Sequence, residues 1–359
     1  MANIAILSFY SGIVDRGVET FAYEISKRLS KKHRITIFQA GSRIQNPDIR
    51  TYQIKSFAKI PHATGNLLSK IYLDMQSFKI LFFTVKTFSK LKSGKYDVIV
   101  PLNGGWQIVL IRIFAVITKS KILVSGHAGI GADDAWNIFF HPDVFIALTH
   151  AEEKWAKRLT NEVKIKTIAN GVDLSRFHPK VKPKKIKLSK PIAICTSALV
   201  PYKRIELTIK AVSKCKNLSL LLIGEGQEQG YLDTLGKRLL GSKYLRLVVP
   251  YQEMPRYYKV ADVFTLASKS EAFGISYTEA MACNLPVVTT NDHSRAEIIG
   301  DAGILTDPQN TEMYAKDLQI ALKTNYRNTP YNQALKFSWN KIALLYSNEI
   351  DEITAKPKQ

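Results

Sequence analysis

Short apolar runs alternate with longer amphipathic stretches from one end of this 359-residue chain to the other. The apolar runs predict β-strands, and the amphipathic stretches between them predict α-helices. Strands that are apolar along nearly their whole length are typical of parallel sheets, because helices cover both faces of such sheets. The predicted strands are Asn3–Ser8, Arg34–Gln39, Val98–Pro101, Ile122–Gly126, Val144–Leu148, Lys166–Ile168, Ile192–Thr196, Ser219–Ile223, Leu245–Val249, Val263–Leu266 and Pro286–Thr289. The predicted helices include Gly17–Ser30, Trp106–Thr118, Ala151–Leu159, Ile205–Cys215, Gln227–Leu240 and Met254–Val260.

The number of predicted strands exceeds what one open sheet holds comfortably, so we divide the chain into two doubly wound α/β domains. The polar and basic segment His178–Lys190 contains proline and is typical of a linker. The predicted organisation is a first domain over residues 1–177, a linker over 178–190 and a second domain over 191–335. A C-terminal helix over 336–359 is expected to pack back on the first domain.

The composition limits which cellular compartment and which kinds of partner we expect for this chain. The 51 Lys and Arg against 30 Asp and Glu give a net charge of +21, which suits an anionic substrate, an anionic membrane surface or nucleic acid. The cysteines Cys195, Cys215 and Cys283 lack CxxC spacing, which favours a reduced protein of the cytoplasm. The first residues lack the basic start of a signal peptide, and the longest apolar stretch is too short to span a bilayer.

The segment between Ser270 and Thr290 reads SEAFGISYTEAMACNLPVVTT and places Glu271 and Glu279 eight residues apart. We interpret it as a loop that turns into a helix and is followed by a buried strand. The backbone N–H groups around Gly274 would then point at a ligand, and a helix N-terminus favours an anion there. An ordinary strand–helix unit with two solvated glutamates is the alternative.

This segment resembles the E-x7-E block of retaining glycosyltransferases of family 4. The resemblance implies the GT-B fold, in which two Rossmann-like domains face a cleft and the second domain binds a nucleoside-diphosphate sugar. It assigns Glu279 to the ribose hydroxyls and Glu271, as a catalytic residue, to the donor hexose. The other donor-binding residues that it assigns in this block are Phe273, Gly274, Ile275 and Ser276.

Other motifs extend the resemblance over most of the chain. The string Asn170-Gly171-Val172-Asp173, followed by Phe177, resembles the family's N-G-V-D-x-x-x-F signature. Lys203 matches the family's catalytic lysine, which compensates the leaving diphosphate. Ala198, however, occupies the position of the usual arginine, so Arg204 or Arg16 would have to supply the second charge.

Three glycines and one histidine complete the expected site. Gly17 opens a helix where the family's loop approaches the donor phosphates, and Gly224 and Gly226 match a Gly-x-Gly beside the nucleotide. His127 follows a predicted strand and resembles the family's active-site histidine. A structural histidine and an ordinary strand–helix turn remain the alternatives for His127 and Gly17.

The chain contains no Asp-x-Asp motif, and no His or Cys cluster has the spacing of a metal site. A metal-dependent transferase is therefore disfavoured. We expect no cofactor, and the phosphate charge would be balanced by Lys203, arginines and backbone dipoles.

The segment Arg50–Lys95 carries nine Lys or Arg, one acid and several phenylalanines. In the family the N-terminal domain handles the acceptor, so this segment predicts a surface that rests on anionic lipid. A solvated helix pair is the alternative. Nucleic acid is disfavoured as a partner, because no RNA- or DNA-binding motif is present.

Together these features predict a hexosyltransferase that acts on a glycan or lipid-linked acceptor, in the cytoplasm or peripherally on the inner face of the membrane. A sugar-nucleotide epimerase or a phosphorylase on the same scaffold is one alternative, because fold does not determine function. A degenerate sugar-nucleotide-binding protein is another, and Ala198 and Arg16 favour it.

Overall fold

The computed structural model describes residues 1–14, 17–42, 46–55 and 71–355. These residues form two compact units. Unit 1 comprises Met1–Asn170 and the C-terminal segment that begins at Trp339, and unit 2 comprises Gly171–Ser338. Residues 171–190, which include the predicted linker, therefore belong to unit 2. The C-terminal helix belongs to unit 1.

Unit 1 is built on a parallel sheet of seven described strands in the order β3-β2-β1-β4-β5-β6-β7. The strands are β1 (Asn3–Ser8), β2 (Arg34–Gln39), β3 (Ile49–Gln53), β4 (Val98–Pro101), β5 (Lys121–Ser125), β6 (Val144–Ala147) and β7 (Lys164–Thr167). The described helices before unit 2 are α1 (Gly17–Leu29), α2 (Met75–Gly94), α3 (Trp106–Thr118), α4 (Ala132–Phe139) and α5 (His150–Leu159). Strand β1 is buried along almost its whole length, as a central strand covered by helices on both faces requires.

Unit 2 has a second parallel sheet, of six described strands in the order β10-β9-β8-β11-β12-β13. The strands are β8 (Ile192–Thr196), β9 (Ser219–Ile223), β10 (Tyr244–Leu247), β11 (Val263–Leu266), β12 (Val287–Thr290) and β13 (Gly303–Thr306). The described helices are α6 (Ile205–Lys214), α7 (Gln229–Leu240), α8 (Met254–Tyr258), α9 (Ile275–Ala282), α10 (His293–Ile299), α11 (Thr311–Lys323) and α12 (Thr329–Ala334). The backbone N–H of Val172 donates to the carbonyl of Phe337, so the two ends of unit 2 lie side by side.

The last described helix, α13 (Trp339–Thr354), packs into the core of unit 1. Its buried face includes Trp339 and Tyr346, whose rings lie 6.0 Å and 5.4 Å from the ring of Phe21 on α1. The Tyr346 hydroxyl also lies 2.8 Å from the hydroxyl of Ser125, at the end of β5. The C-terminal helix therefore completes a hydrophobic core that the N-terminal residues begin.

The predicted fold class, two doubly wound parallel-sheet domains, is confirmed. Eleven predicted strands appear with ends shifted by no more than a few residues. The sequence prediction missed β3 and β13, each at one edge of its sheet. Only one residue of each is buried: β3 reads IRTYQ and has no apolar run, whereas β13 reads GILT and has only two large apolar residues.

Candidate functional site

The strand order of unit 2 reverses between β8 and β11, which are neighbours in the sheet although far apart in sequence. All strands of this sheet are parallel, so their carboxyl ends lie at one edge. Ligands of open α/β sheets bind at such a reversal, outside the carboxyl ends of the strands. Lys203 follows β8, and Glu271 follows β11. The two residues that the sequence assigned to catalysis in this unit therefore flank the reversal point.

Lys203 and Glu271 form a direct ion pair. The Nζ of Lys203 lies 2.6 Å from Oε1 of Glu271, and the side chains are only 13% and 11% exposed. Lys203 ends a short 3-10 turn (Pro201–Lys203), and its ammonium also lies 5.0 Å from the ring centroid of Tyr202. Each charge is therefore neutralised by the other in a nearly dry environment, where Coulomb interactions are stronger than in water.

Helix α9 begins directly after Gly274, whose φ of 80° lies in the left-handed region. A Cβ at this position would overlap the ring of Tyr277, so both backbone conformation and space require glycine. The first N–H groups of a helix have no partners within it, and they attract anions. The half-buried residues Ile275 and Ser276 contribute this first turn. The arrangement suits an anion bound through the backbone.

Phe273, also expected at the donor, has a buried side chain. Its ring lies edge-on to Phe337 at 5.5 Å, inside unit 2. The Phe273 side chain therefore anchors the loop from within the core, and only its backbone is suited to contact a ligand.

Glu279 lies on α9 and is 5% exposed. Its Oε1 accepts a hydrogen bond from the Tyr251 hydroxyl at 2.7 Å, and its Oε2 accepts one from the Tyr258 hydroxyl at 2.9 Å. Burial raises the pKa of Glu279 to about 7, although both tyrosine hydroxyls and the charge of Arg176 oppose this increase. The sequence identified Glu279 but gave no sign of this pair of tyrosines, because they come from another part of the chain.

Arg204 lies at the start of α6, but its guanidinium binds the sheet. Its Nε donates to the carbonyl of Ala267 at 2.8 Å, and one terminal nitrogen lies within 3.4 Å of Ser268 O and within 3.3 Å of Thr290 Oγ1. These contacts tie together the ends of β11 and β12. Arg16, the other residue considered for the missing positive charge, lies outside the described residues.

Gly224 and Gly226 form a turn that packs tightly against the loop after β8. A Cβ on Gly224 would overlap the carbonyl oxygen of Ser197, and one on Gly226 would overlap the backbone of Leu199. The backbone N–H of Leu199 donates to Glu225 at 2.9 Å in the same contact. Both glycines are therefore needed for the close approach of two backbone segments at the edge that carries Lys203.

Two predicted site residues belong to unit 1. Gly17 is the exposed first residue of α1. His127 follows β5, and its ring lies 4.4 Å from the ring of Phe21 in an edge-on contact. Burial lowers the pKa of His127 to about 3, so the imidazole is neutral at physiological pH. Its Nε2 is buried and has no hydrogen-bond partner among the described residues.

The sequence analysis missed two buried acids: Asp134, which supports the loop that carries His127, and Glu152, which supports the residue that follows the neighbouring strand β6. Asp134 accepts hydrogen bonds from the backbone N–H groups of Ala128 and Gly129, at 3.0 Å and 2.7 Å. Glu152 accepts one from the backbone of Leu148 at 2.6 Å. Burial raises the pKa of Asp134 to about 7 and that of Glu152 to about 9. Their neighbours in the sequence carry no pattern that distinguishes them from surface acids.

Helices α2 and α3 pack together in unit 1 and expose apolar side chains. Helix α2 begins after Asp74, whose carboxylate accepts hydrogen bonds from two N–H groups of the first turn. A groove of about 360 Å³ on α2 is lined by Met75, Phe78, Lys79, Leu81, Phe82 and Val85. Helix α3 exposes Ile113, Val116 and Ile117, of which Ile117 is 75% exposed. Neither helix contains an acid, whereas Lys86, Lys90, Lys92 and Arg112 lie on them.

Two properties of the described residues bear on the site. No helix among them combines the length and the hydropathy that a membrane span requires. In the same part of the chain, no group of three or more His, Cys, Asp or Glu residues is arranged to hold a metal ion.

The chain is similar to glycosyltransferases in sequence. It is 31% identical over 203 residues to a probable sucrose-phosphate synthase of Thermosipho melanesiensis, covering 53% of this chain and 48% of that protein. It is 26% identical over 182 residues to a GDP-mannose-dependent phosphatidylinositol monomannoside mannosyltransferase of Mycolicibacterium smegmatis, covering 44% and 47% respectively. The chain thus spans about half the length of these two relatives.

Solved structures extend the similarity of fold to nearly the whole chain. A sucrose-phosphate synthase of Thermosynechococcus elongatus has a TM-score of 0.79 at 18% identity, covering 98% of this chain and 99% of that one. HepE of Anabaena, solved with UDP-glucose, has a TM-score of 0.77 at 17% identity, covering 98% and 100%. The two units therefore have the Rossmann-like folds of these GT-B proteins. Residues 178–337, which are nearly all of unit 2, match the family model described as "Glycosyl transferases group 1".

Proposed function

We propose that this protein is a retaining glycosyltransferase of family 4. It moves a hexose from a nucleoside-diphosphate sugar to a hydroxyl group of a glycan or lipid-linked acceptor. The observation that carries the proposal is the Lys203–Glu271 pair at the reversal point of a sheet in unit 2, with Glu279 on the helix that follows. The similarity of residues 178–337 to group 1 glycosyl transferases supports the same reaction class.

Each residue of unit 2 has a role that suits its position. The ammonium of Lys203 stabilises the diphosphate as its negative charge develops. Because Glu271 already neutralises Lys203, the N-terminus of α9 at Gly274–Ser276 supplies further compensation through backbone N–H groups. Glu271 accepts hydrogen bonds from the donor hexose, and Glu279 accepts them from the ribose diol.

The reaction breaks the bond between the anomeric carbon and the diphosphate oxygen, and it forms a bond from that carbon to the acceptor oxygen. The acceptor proton passes to the leaving phosphate oxygen, and the hexose keeps its α-configuration. Lys203 and the backbone dipoles perform the charge compensation that a metal ion performs in other transferases.

The first test is a thermal-shift screen of the purified chain against nucleoside-diphosphate sugars. A ligand at 100 times its dissociation constant stabilises the fold by about 2.7 kcal/mol, which such a screen detects. A stabilising donor is then assayed for turnover with glycan and glycolipid acceptors. Binding without turnover would support a sugar-nucleotide-binding protein, the alternative that Ala198 favours, and turnover without acceptor would support an epimerase.

We further propose that unit 1 docks on an anionic lipid surface through helices α2 and α3. The exposed apolar side chains Phe78, Val116 and Ile117 would enter the interface, while Lys86 and Lys90 contact anionic head groups. The absence of acids on both helices makes the surface complementary to anionic lipid. A surface of this kind suits an enzyme whose acceptor is lipid-linked.

A further inference from the structure

Both carboxylate oxygens of Glu279 are occupied within the protein itself. Tyr251 donates its hydroxyl proton to Oε1, and Tyr258 donates to Oε2. A buried carboxylate gains stability from such charge-assisted bonds, which are stronger than bonds between neutral groups. Each carboxylate oxygen can accept a second hydrogen bond, but Glu279 is only 5% exposed, so we expect a ribose diol to reach the carboxylate only by displacing a tyrosine hydroxyl that is already in place.

The two tyrosines differ in how firmly the fold holds them. Tyr258 is completely buried, and its hydroxyl also lies 2.9 Å from Thr196 Oγ1 at the end of a central strand. Tyr251 is only half-buried and lies in a short 3-10 turn after Pro250. Of the two tyrosines that bind Glu279, Tyr251 is therefore the one that the fold holds less firmly and the one closer to solvent.

Arg176 holds Tyr251 in place beside Glu279. Its guanidinium carbon lies 4.6 Å from the centroid of the Tyr251 ring, and one terminal nitrogen donates to the Tyr251 carbonyl at 3.2 Å. The ring of Phe177 lies 5.9 Å from the same tyrosine. The backbone and ring of Tyr251 are thus fixed by contacts that do not involve its hydroxyl, so removal of the hydroxyl leaves these contacts intact.

We propose that Tyr251 determines the donor affinity of unit 2, because its hydroxyl occupies the Glu279 oxygen that a ribose hydroxyl requires. The inference rests on the proposed function, in which Glu279 binds ribose. When a donor binds, the Tyr251 hydroxyl leaves Oε1, and one hydrogen bond to the carboxylate replaces another. The net gain from the ribose is reduced accordingly, since a hydrogen bond that substitutes for an existing one contributes little.

The substitution Tyr251→Phe tests this competition. Without the hydroxyl, Oε1 of Glu279 is buried without a donor, which raises the free energy of the unliganded protein. A ribose hydroxyl then restores the missing bond. We expect Y251F to bind UDP or GDP three- to tenfold more tightly than the wild type, about 0.7–1.4 kcal/mol. The matching 2′,3′-dideoxynucleotide lacks both hydroxyls, so its affinity is expected to stay the same.

Isothermal titration calorimetry at pH 8.5, where the wild-type Glu279 is ionised, measures these affinities. Y258F is the matched control, because it removes the other hydroxyl that binds Glu279, at a fully buried position that no ligand can reach. We expect Y258F to lower the melting temperature and not to bind nucleotides more tightly. Unchanged or weaker ribonucleotide binding by Y251F would overturn this inference and leave the proposed function standing. An equal gain for the dideoxynucleotide would also overturn it. If the wild type binds no nucleoside diphosphate, the proposed function fails, and this inference fails with it.

Discussion

The ammonium of Lys203 lies 2.6 Å from the carboxylate of Glu271, although 68 residues separate them in the sequence. The contact exists because β8 and β11 are adjacent in a parallel sheet, so the loops after them meet at one edge. Both side chains are nearly buried, and removal of one partner leaves an uncompensated charge. The contributions of Lys203 and Glu271 to the free energy of unfolding are therefore coupled even before any substrate binds.

A double-mutant cycle measures that coupling. We expect Lys203→Met and Glu271→Gln each to lower the free energy of unfolding, and the double variant to lose less than the sum of the two. The interaction energy should lie within about 0.5–3 kcal/mol, the range for residues in contact. Urea denaturation provides the values, with Lys269→Met, an exposed lysine of the neighbouring loop, as the control. Strict additivity would mean that the ion pair does not form in solution.

Glu279→Ala is expected to weaken nucleotide-sugar binding and to leave the protein folded. Because a ribose hydroxyl replaces the Tyr251 hydroxyl at Glu279, we expect a loss at the lower end of the roughly 1.5–3 kcal/mol that a charge-assisted hydrogen bond contributes, about tenfold in affinity. Calorimetric titration with the donor found in the thermal-shift screen checks this. Glu312→Ala provides the control, because Glu312 lies exposed on α11 of the same unit. Equal affinity in wild type and E279A would remove Glu279 from the site.

Glu152 makes the stability of unit 1 depend on pH. Its pKa is raised to about 9 by burial and by Asp134 nearby, so the folded state binds the proton more tightly than the unfolded state, whose pKa is about 4.5. The stability that Glu152 contributes is fully present below about pH 4.5, the pKa of Glu152 in the unfolded state, and is lost as the pH rises towards 9, its pKa in the folded state. Glutamine remains neutral, so the melting temperature of Glu152→Gln relative to wild type should increase with pH across this window.

The variant and the wild type must be compared at each pH, because burial also raises the pKa of Asp134, which makes the stability of both proteins depend on pH. Differential scanning fluorimetry between pH 5 and 9 gives the two curves. Glu162→Gln serves as the control, since this side chain is 77% exposed and its curve should follow the wild type. Parallel curves for E152Q and wild type would show that Glu152 titrates normally.

Turnover is expected to persist in excess EDTA. Lys203 and the N-terminus of α9 are the groups proposed to compensate the diphosphate, and neither needs a metal ion. An assay of the purified enzyme with and without EDTA checks this, with dialysed protein as the reference. Loss of activity that Mg²⁺ or Mn²⁺ restores would contradict the prediction.

The membrane proposal predicts binding that needs anionic lipid and weakens with salt. Each cation near an anionic surface contributes about 1 kcal/mol, and salt screens the attraction over roughly 8–10 Å. Co-sedimentation with vesicles of neutral or anionic lipid, at low and high salt, measures it. Lys86→Glu with Lys90→Glu should reduce binding, and Ile117→Glu should reduce it further by removing apolar insertion.

The control for this experiment is Leu344→Glu, an exposed apolar residue on α13 outside the α2–α3 surface. Equal binding to neutral vesicles would indicate that apolar insertion dominates. Absence of binding to either vesicle would leave α2 and α3 as a solvated face and would favour a soluble acceptor.

The sequence predicted the fold well because buried strands such as β1 and β8 are apolar along nearly their whole length. It failed at β3, where Arg50 and Gln53 are exposed and Ile49 is the only buried residue of the strand. Segment 270–290 predicted the positions of Glu271 and Glu279 from local pattern alone. The partners of Glu279 could not be predicted, because Tyr251 and Tyr258 reach it only through tertiary packing.

The position of helix α13 also sets the order in which the chain can fold as it is synthesised. Unit 2 is one continuous stretch of sequence, so all of its strands are available once residue 338 has left the ribosome. Unit 1 starts first but needs Trp339 and Tyr346 to complete the core around Phe21. The core of unit 1 is therefore complete only after residues 339–354 have been synthesised, and the unit that is translated second is the first that can finish folding.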